Sequence, residues 1–402
     1  MADAFHAPTV VDLFSGAGGM TASFERAGFH TAAAVELDRD CIATLRANQA
    51  AKLPIEKSQR RYLAGARIID RDIHTVHRAD LLPHVAGADW RPDVLAGGPP
   101  CQPFSFAGLG QGMNDPRGRL FREFVRIAAE LRPRVILFEN VPGLVTAKCA
   151  QGRPGGVLEI IQRCFESIGY GCNFALLNAA DFGAPQRRTR LYMIATDGSC
   201  SPCFPAQTHS QAESPGLLPW VSLGALLSKL PKPSEDELAR PTGKRAPELA
   251  QLLPGEGLKA HGIIEANRPG GHWGYRQDCF RADERLPSRT IRAASTPDWV
   301  SDGWGLRRLT WRECAALQHF PTAWTFCGTT ASKFRQIGNA VQGHIGMKLA
   351  EAIFASLASQ EQFTPTSAPW PASFHKRVKY TTAEHRVNGQ HRAAAKTASS
   401  LR

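Results

Sequence analysis

The chain has 402 residues, 43% of them hydrophobic and 21% charged, which is the composition of an ordinary globular protein long enough for two or three domains. No apolar run approaches the roughly 20 residues that cross a bilayer, and the first residues, MADAFHAPTVVDLF, lack the basic head and apolar stretch of a secretory signal, so a cytoplasmic location without a membrane contact is expected. The formal net charge of +12 suggests a polyanionic partner.

The first half alternates short apolar runs with helix-like stretches, the pattern of a doubly wound, Rossmann-like parallel sheet in an α/β fold. Thr9 to Phe14 reads as a first buried strand, Thr21 to Ala27 as a helix, and Thr31 to Leu37 as a second strand. A basic segment from Asn48 to Gly65, with Lys57, Arg60 and Arg61, follows; it reads as an inserted helix or loop over a ligand face, or equally as a solvated surface helix. Residues 66–73, 92–97, 134–139 and 191–196 supply further strands. Phe121 to Leu131 has apolar residues at helical spacing, with Pro133 just past its end. From 197 to 288 Pro and Gly become frequent and periodicity weakens, as in a separate small domain of irregular structure. That stretch is close to neutral. The regular pattern resumes at Arg289 and closes on an amphipathic helix near Gly346 to Ala358. The last segment, 359–402, is rich in Ala, Thr and Ser; from Phe363 onward it carries seven Lys or Arg against one acid, and reads as a disordered basic tail able to add phosphate affinity.

Ten cysteines in a chain without a secretion signal are expected to be reduced. Cys200 and Cys203 form a lone C-x-x-C with no second pair at zinc-site spacing, so no metal is expected.

Four loops carry the chemistry. The first strand runs into Phe14-Ser-Gly-Ala-Gly-Gly19, where glycines permit a sharp turn and close approach of a ligand to the main chain. Glu36 ends the second strand, where a carboxylate suits a ribose diol. Asp72 is placed at the end of the third, where it could accept from an exocyclic amine. A Gly-rich turn alone could serve a dinucleotide. With G-x-G-x-x-G incomplete, glycines plus two strand-end acids fit an adenosine ligand without phosphates. The second loop, Gly97-Gly-Pro-Pro-Cys-Gln-Pro-Phe-Ser105, presents Cys101 at the carboxyl end of a strand in a rigid turn, a poor way to fill a core. The third, Phe138-Glu-Asn-Val141, leaves Glu139 at a strand end, costly to bury without a partner or a task. In the fourth, Gln186-Arg-Arg-Thr-Arg190, arginines could bind phosphate, or clamp a carbonyl and orient Glu139.

Taken in order, DLFSGAGGM, Glu36, Asp72-Ile73, GGPPCQPFS, FENV, QRRTR, Arg289-Thr290-Ile291 and RQIGNAV resemble the DNA (cytosine-5)-methyltransferase family of bacterial modification methylases, over roughly residues 9 to 357. DPRGRLF (115–121) and residues 306–321 resemble that family's linking segments. The resemblance implies methyl transfer from S-adenosylmethionine to carbon 5 of a cytosine flipped out of double-stranded DNA, with Cys101 as nucleophile and Glu139 as the acid at N3 and the exocyclic amine. Arg188 and Arg190 would support the base carbonyl and the Glu. Phe14, Gly16, Gly18, Glu36, Asp72, Ile73, Pro100, Leu120, Asn339 and Val341 would line the cofactor pocket. Gln102, Ser105, Arg289 and Thr290 would support the DNA and the target base. The variable segment 197–288 becomes a target recognition domain, in which the aromatic residues of GGHWGYR (270–276) could meet the DNA or pack that domain's core. A single catalytic module suggests a monomer, bound to the bacterial nucleoid through its DNA and paired functionally with a restriction endonuclease or solitary. The same motif set in a transfer-RNA cytosine-5 methyltransferase, or in a silent DNA-binding regulator, would be the competing reading. One departure stands out: the family often has Pro after GNAV, and here Gln342 follows.

Overall fold

The computed structural model describes residues 7–56, 58–83, 87, 89–100, 120–201, 204–243, 246–258, 264–266, 279–294, 296–358, 362 and 364–379. In chain order the first elements are β1 (Thr9–Leu13), α1 (Gly19–Arg26), β2 (His30–Glu36), α2 (Arg39–Ala50), β3 (Arg67–Asp70), α3 (Arg78–Leu81) and β4 (Val94–Gly97). There follow α4 (Leu120–Leu131), β5 (Val135–Asn140), α5 (Gly156–Glu166), β6 (Gly171–Asn178) and β7 (Thr189–Thr196). These seven strands form one mainly parallel sheet in the order β3-β2-β1-β4-β5-β7-β6, the α/β architecture expected. The strand β7 runs antiparallel to β5, with Glu139 opposite Tyr192.

The chain divides into two compact units, one of residues 1–73, 177–189 and 205–354, the other of residues 74–176, 190–204 and 355–402. In the first unit, β1, β2 and β3 are parallel neighbours. The strand β3 is shorter than the expected 66–73. Its last residue, Asp70, pairs with Glu36, the last residue of β2. Beyond that point the Leu37 and Asp38 N–H groups turn onto the Glu36 carboxylate, so no edge remains to extend the strand. Asp72 therefore lies past the strand, exposed, just before a 3₁₀ turn at Ile73–Thr75.

The segment 48–65 is not a solvated helix. After α2 it folds back through a bridge between Pro54 and Arg61, and Tyr62 is fully buried with its hydroxyl donating to Glu56 at 2.7 Å. Arg60 donates to the Gly28 and Phe29 carbonyls, and the Leu63 N–H reaches the buried Glu25 carboxylate. Local composition reads as surface because the carbonyls that take the Arg60 head, and the carboxylate that takes the Leu63 N–H, lie distant in sequence.

From 197 to 310 the described elements are short: β8 (His209–Ser210), β9 (Leu218–Pro219), α6 (Leu223–Leu227), α7 (Ala246–Ala250), β10 (Glu256–Leu258), β11 (Ile264–Ala266), β12 (Trp299–Ser301) and β13 (Leu306–Arg308). The unit closes with α8 (Trp311–Leu317), α9 (Thr330–Asn339) and α10 (Gly343–Leu357). Its core joins Leu45 and Tyr62 to Phe320, Trp324, Phe326 and Phe334. In the second unit α4 buries Phe121, Phe124, Ile127, Ala128 and Leu131, one face of a helix, and Phe124 meets Phe138 and Phe165 edge-on at 5.6 and 6.0 Å. Among the described residues no helix is long and apolar enough to cross a membrane. Cys200 is buried; Cys203 and the 270–276 segment lie outside the described residues, as does the tail from 380. Residues 364–379, however, are not the disordered start of a tail: the Ala368 N–H donates to Cys172 O at 3.0 Å, Trp370 Nε1 donates to Gln162 at 2.8 Å and Phe374 is fully buried.

Candidate active site

The turn from β1 to α1 is built by backbone that few side chains tolerate. Phe14 and Gly16 have φ of 56° and 54°, and Gly18 has φ 90°. A Cβ on Gly16 would meet nothing within 4 Å, so the main chain there faces open space. At Gly18 a Cβ would meet Leu45 and Trp324 at 2.9 Å, and at Gly19 the Val341 carbonyl at 2.9 Å. Openness at Gly16 and tightness at the other two have different uses: one admits a ligand, the others seat the turn on the core and on the 339–341 loop.

Glu36 is fixed by this turn. Its Oε2 accepts the Gly16 N–H at 2.7 Å, and its Oε1 accepts the Leu37 and Asp38 N–H groups at 2.8 Å each. A carboxylate oxygen has capacity for two acceptor contacts, so Oε2 retains a lone pair for a hydroxyl. Beneath the turn lies Asp12, fully buried. Its Oδ2 accepts from the Thr21 hydroxyl at 2.6 Å, while its Oδ1 has no hydrogen-bond partner among the described residues. Burial pushes its carboxyl up to about 7. Of the other residues expected at the cofactor, Ile73 and Val341 are buried, and Asn339 is exposed at the end of α9. Pro100 and Leu120 belong to the second unit, half-buried, with Leu120 the first residue of α4.

The second unit carries Glu139. Opposition of Glu139 to Tyr192 puts Arg190 two residues along on the same face of the sheet, and Arg190 Nε reaches Glu139 Oε1 at 3.2 Å. Both side chains are mostly shielded, at 16% and 13% exposure. Gly98, just past β4, lies against this carboxylate: a Cβ there would sit 2.8 Å from Glu139 Oε2. Asn140 donates Nδ2 to the Pro99 carbonyl at 3.3 Å, tying the FENV strand to the GGPP loop. Cys101, Gln102 and Ser105, which continue that loop, lie outside the described residues.

The other arginines and their neighbours organise the first unit. Arg188 is buried and donates to the Ile291, Gly338 and Ala340 carbonyls at 2.8, 3.0 and 3.0 Å. Arg289 pairs with Asp298 through two contacts and stacks on Phe280 at 3.8 Å from the ring centre, and the Thr290 hydroxyl donates to the Arg187 carbonyl. Three buried glutamines, none of them among the site residues expected from the sequence, complete the junction. Gln186 donates to Leu317 O and Gln318 Oε1 and accepts from the Ile291 N–H. Gln318 donates to the Ile337 and Ala340 carbonyls, and Gln342 donates to Leu317 O. Their only sequence signal was position inside or beside the recognised motifs.

The model for C-5 cytosine-specific DNA methylases matches residues 8–355. The chain is 32% identical over 353 residues to the Type II methyltransferase M1.HphI of Haemophilus parahaemolyticus, and 31% identical over 355 residues to M.NgoFVII of Neisseria gonorrhoeae. Each alignment covers 86% of both proteins. Among solved structures it is similar in fold to a candidate DNA modification methyltransferase encoded within an E. coli prophage (TM-score 0.62, 23% identity, 88% of this chain and 100% of that one). It is similar in the same way to a DNMT2 mutant of Spodoptera frugiperda (TM-score 0.60, 17% identity, 87% and 100%). The chain belongs to the C-5 cytosine-specific DNA methylase family and is a DNA (cytosine-5-)-methyltransferase.

Proposed function

We propose that the chain methylates carbon 5 of a flipped-out cytosine within one double-stranded DNA word, using S-adenosylmethionine and a covalent Cys101 adduct, as the modification enzyme of a restriction-modification system or as a solitary bacterial methylase. The observation that carries this reading is the Glu139 carboxylate, held by Arg190 at the strand end beside the Gly98 turn that leads to Cys101.

The residues of the β1–α1 turn fit the cofactor. Glu36, fixed by three main-chain N–H groups, is set to take the ribose hydroxyls, Gly16 leaves room for close approach, and Asp72, just past the end of β3, would take the adenine amine. Phe14, Gly18, Ile73, Pro100, Leu120, Asn339 and Val341 complete the assignment. When bound, S-adenosylmethionine supplies the electrophilic methyl group that carbon 5 takes.

Carbon 5 of cytosine is a poor nucleophile. Addition of the Cys101 thiolate at carbon 6 places an electron pair in the ring and makes carbon 5 an enamine carbon. A thiol of ordinary pKa about 8.5 is only a few per cent ionised at neutral pH, so nearby positive charge or proton loss during attack must help. Glu139 gives N3 the proton that neutralises the incoming charge, and Arg190 holds the carboxyl in place. General-acid assistance of this kind is worth about 10²–10⁴-fold. Loss of the carbon 5 proton then returns the electron pair that expels the sulfur. Residues 8–196 and 289–358 form the catalytic module in this reading, 197–288 the target recognition domain, and 359–402 a basic tail. Gln102, Ser105, Arg289 and Thr290 support the DNA, and the enzyme acts as a monomer at the nucleoid.

Labelled cofactor offered with matched DNA and RNA tests the substrate. Label in RNA alone would sink the reading. Duplex DNA carrying 5-fluorocytosine should trap the wild-type enzyme covalently and leave Cys101→Ala free. Bisulfite sequencing of DNA from expressing cells reads the word.

A further inference from the structure

The Gln186–Arg188 segment and the Ser288–Arg292 segment run side by side in the first unit. Gln186 and Ser288 are bridged in parallel, the Arg187 N–H donates to Ser288 O at 2.8 Å, and the Thr290 hydroxyl returns a bond to Arg187 O at 2.8 Å. Arg188 and Gln186 pin the far end through Ile291. The backbone beneath the intervening arginines is therefore rigid. Their side chains are treated unequally. Arg289 has the Asp298 carboxylate and the Phe280 ring. Asp283, the other acid close by, is taken at both oxygens by Arg285. Arg187 and Arg292 are half-buried, yet among the described residues neither guanidinium makes a hydrogen bond or ion pair, and the Arg187 Nε is shut off from solvent with no acceptor there. Burial and the charge of Arg289 both bear against their ionisation.

A buried cation costs free energy unless it is paired, and a guanidinium does not escape by giving up its proton. Two half-buried guanidinium groups on a braced double loop, with the Asp298 and Asp283 carboxylates already engaged by Arg289 and Arg285, are suited to anionic oxygens. Arginine is suited to phosphate because its planar fork offers two parallel donors. We propose that Arg187 and Arg292 are two backbone-phosphate sites for the substrate nucleic acid. The proposal rests on the reading of the chain as a DNA methylase and deepens it: these residues position the duplex without reading its sequence.

The test is the salt dependence of binding to a fluorescent duplex, for the parent, Arg187→Gln, Arg292→Gln, the double variant, and Lys348→Gln as a control for simple loss of charge. Each phosphate contact contributes about 0.9 to the slope of log K against log salt, so each single variant should lower the slope by about 0.9 and the double by about 1.8. The loss should be equal on duplexes with and without the methylated word. Without nucleic acid the variants should melt at or above the parent temperature, because an unpaired buried charge has been removed. Slopes equal to that of Lys348→Gln overturn the proposal, as does a lowered melting temperature, which would mark the arginines as structural. The parent's own methylation of DNA and of RNA is measured alongside, and slopes are read on whichever it modifies. A failure of the DNA reading therefore shows in the parent, and a failure of the phosphate sites shows only in the variants.

Discussion

Arg190 and Glu139 are diagonal neighbours across the antiparallel β5–β7 pair, 3.2 Å apart from Nε to Oε1. Strand pairing sets this geometry, so the fold itself holds the carboxylate in place. Glu139→Gln keeps the shape and the acceptor but cannot give a proton to N3. Single-turnover methylation should slow by about 10²–10⁴-fold, with DNA affinity changed little. Arg190→Lys keeps a charge but loses the planar fork, and should fall between the parent and the Gln variant. Equal rates for Glu139→Gln and the parent would remove Glu139 from the chemistry.

Arg307 and Glu313 form a two-point ion pair at 2.8 Å for both contacts, with side chains 8% and 4% exposed. Glu313 also accepts the Thr310 N–H at 2.8 Å, while the Thr310 hydroxyl accepts the Glu313 N–H, a capping box at the start of α8. Glu313→Ala leaves a buried guanidinium with its carboxylate gone and opens the cap. Denaturant unfolding should show a loss of about 3–5 kcal/mol. Replacing both residues by apolar ones of similar volume should lose less, since the pair has its own desolvation cost.

The residue after GNAV has a structural explanation. Gln342 is fully buried; its Oε1 accepts the His344 and Ile345 N–H groups at 2.8 and 3.3 Å, capping α10, and its Nε2 approaches His344 Nδ1 at 3.0 Å. A helix cap and a buried amide are lost together in Gln342→Ala, for a cost of about 1–3 kcal/mol in thermal or denaturant unfolding. A change under a few tenths of a kcal/mol would show that water replaces the amide there.

What the sequence disclosed was local. Strand-end Glu36 and Glu139 and the glycine turn are each coded by contiguous residues whose backbone needs are strict. The helix α4 was legible because its apolar spacing is helical and Pro133 stops it. The strand β6 was not, since GCNFALLN carries mixed polarity and its place in the sheet depends on β7, later in the chain. Nor was the glutamine junction: Gln186 and Gln318 are 132 residues apart, and a glutamine has no periodicity that marks it as buried. Asp72 was placed on a strand because IID continues the apolar run, whereas the partner strand had already ended at Glu36. Arg60 could be read as a surface charge because the carbonyls it meets, those of Gly28 and Phe29, belong to the turn after α1, some thirty residues earlier.

His319 and His344 stack with ring centres 3.7 Å apart, His319 held in the left-handed region at φ 63° and donated to at its carbonyl by Arg26. Burial, then the Arg26 charge, lowers His319 to about 4; burial, then the charge of its neighbour, lowers His344 to about 2. The Gln342 amide donating to His344 Nδ1 fits a neutral ring. In an unfolded chain both would titrate near 6.5. The folded pKa values are depressed, so between about 6.5 and 4 the unfolded state binds more protons, and the stability from the neutral pair, fully present above 6.5, is lost as pH falls. Buried Asp12 and Glu25, both raised to about 7 chiefly by burial, act in the opposite sense, with stability present below about 4 and lost as pH rises toward 7. The parent's curve mixes the two, so a difference measurement separates them. His344→Leu removes one proton site and leaves the acids untouched. Relative to this variant, the parent should lose up to about 1.4 kcal/mol per pH unit below pH 6.5 in urea unfolding, and the gap should be constant above pH 7. A gap independent of pH from 7 to 4.5 would mean that the ring is solvated and titrates normally in the folded protein.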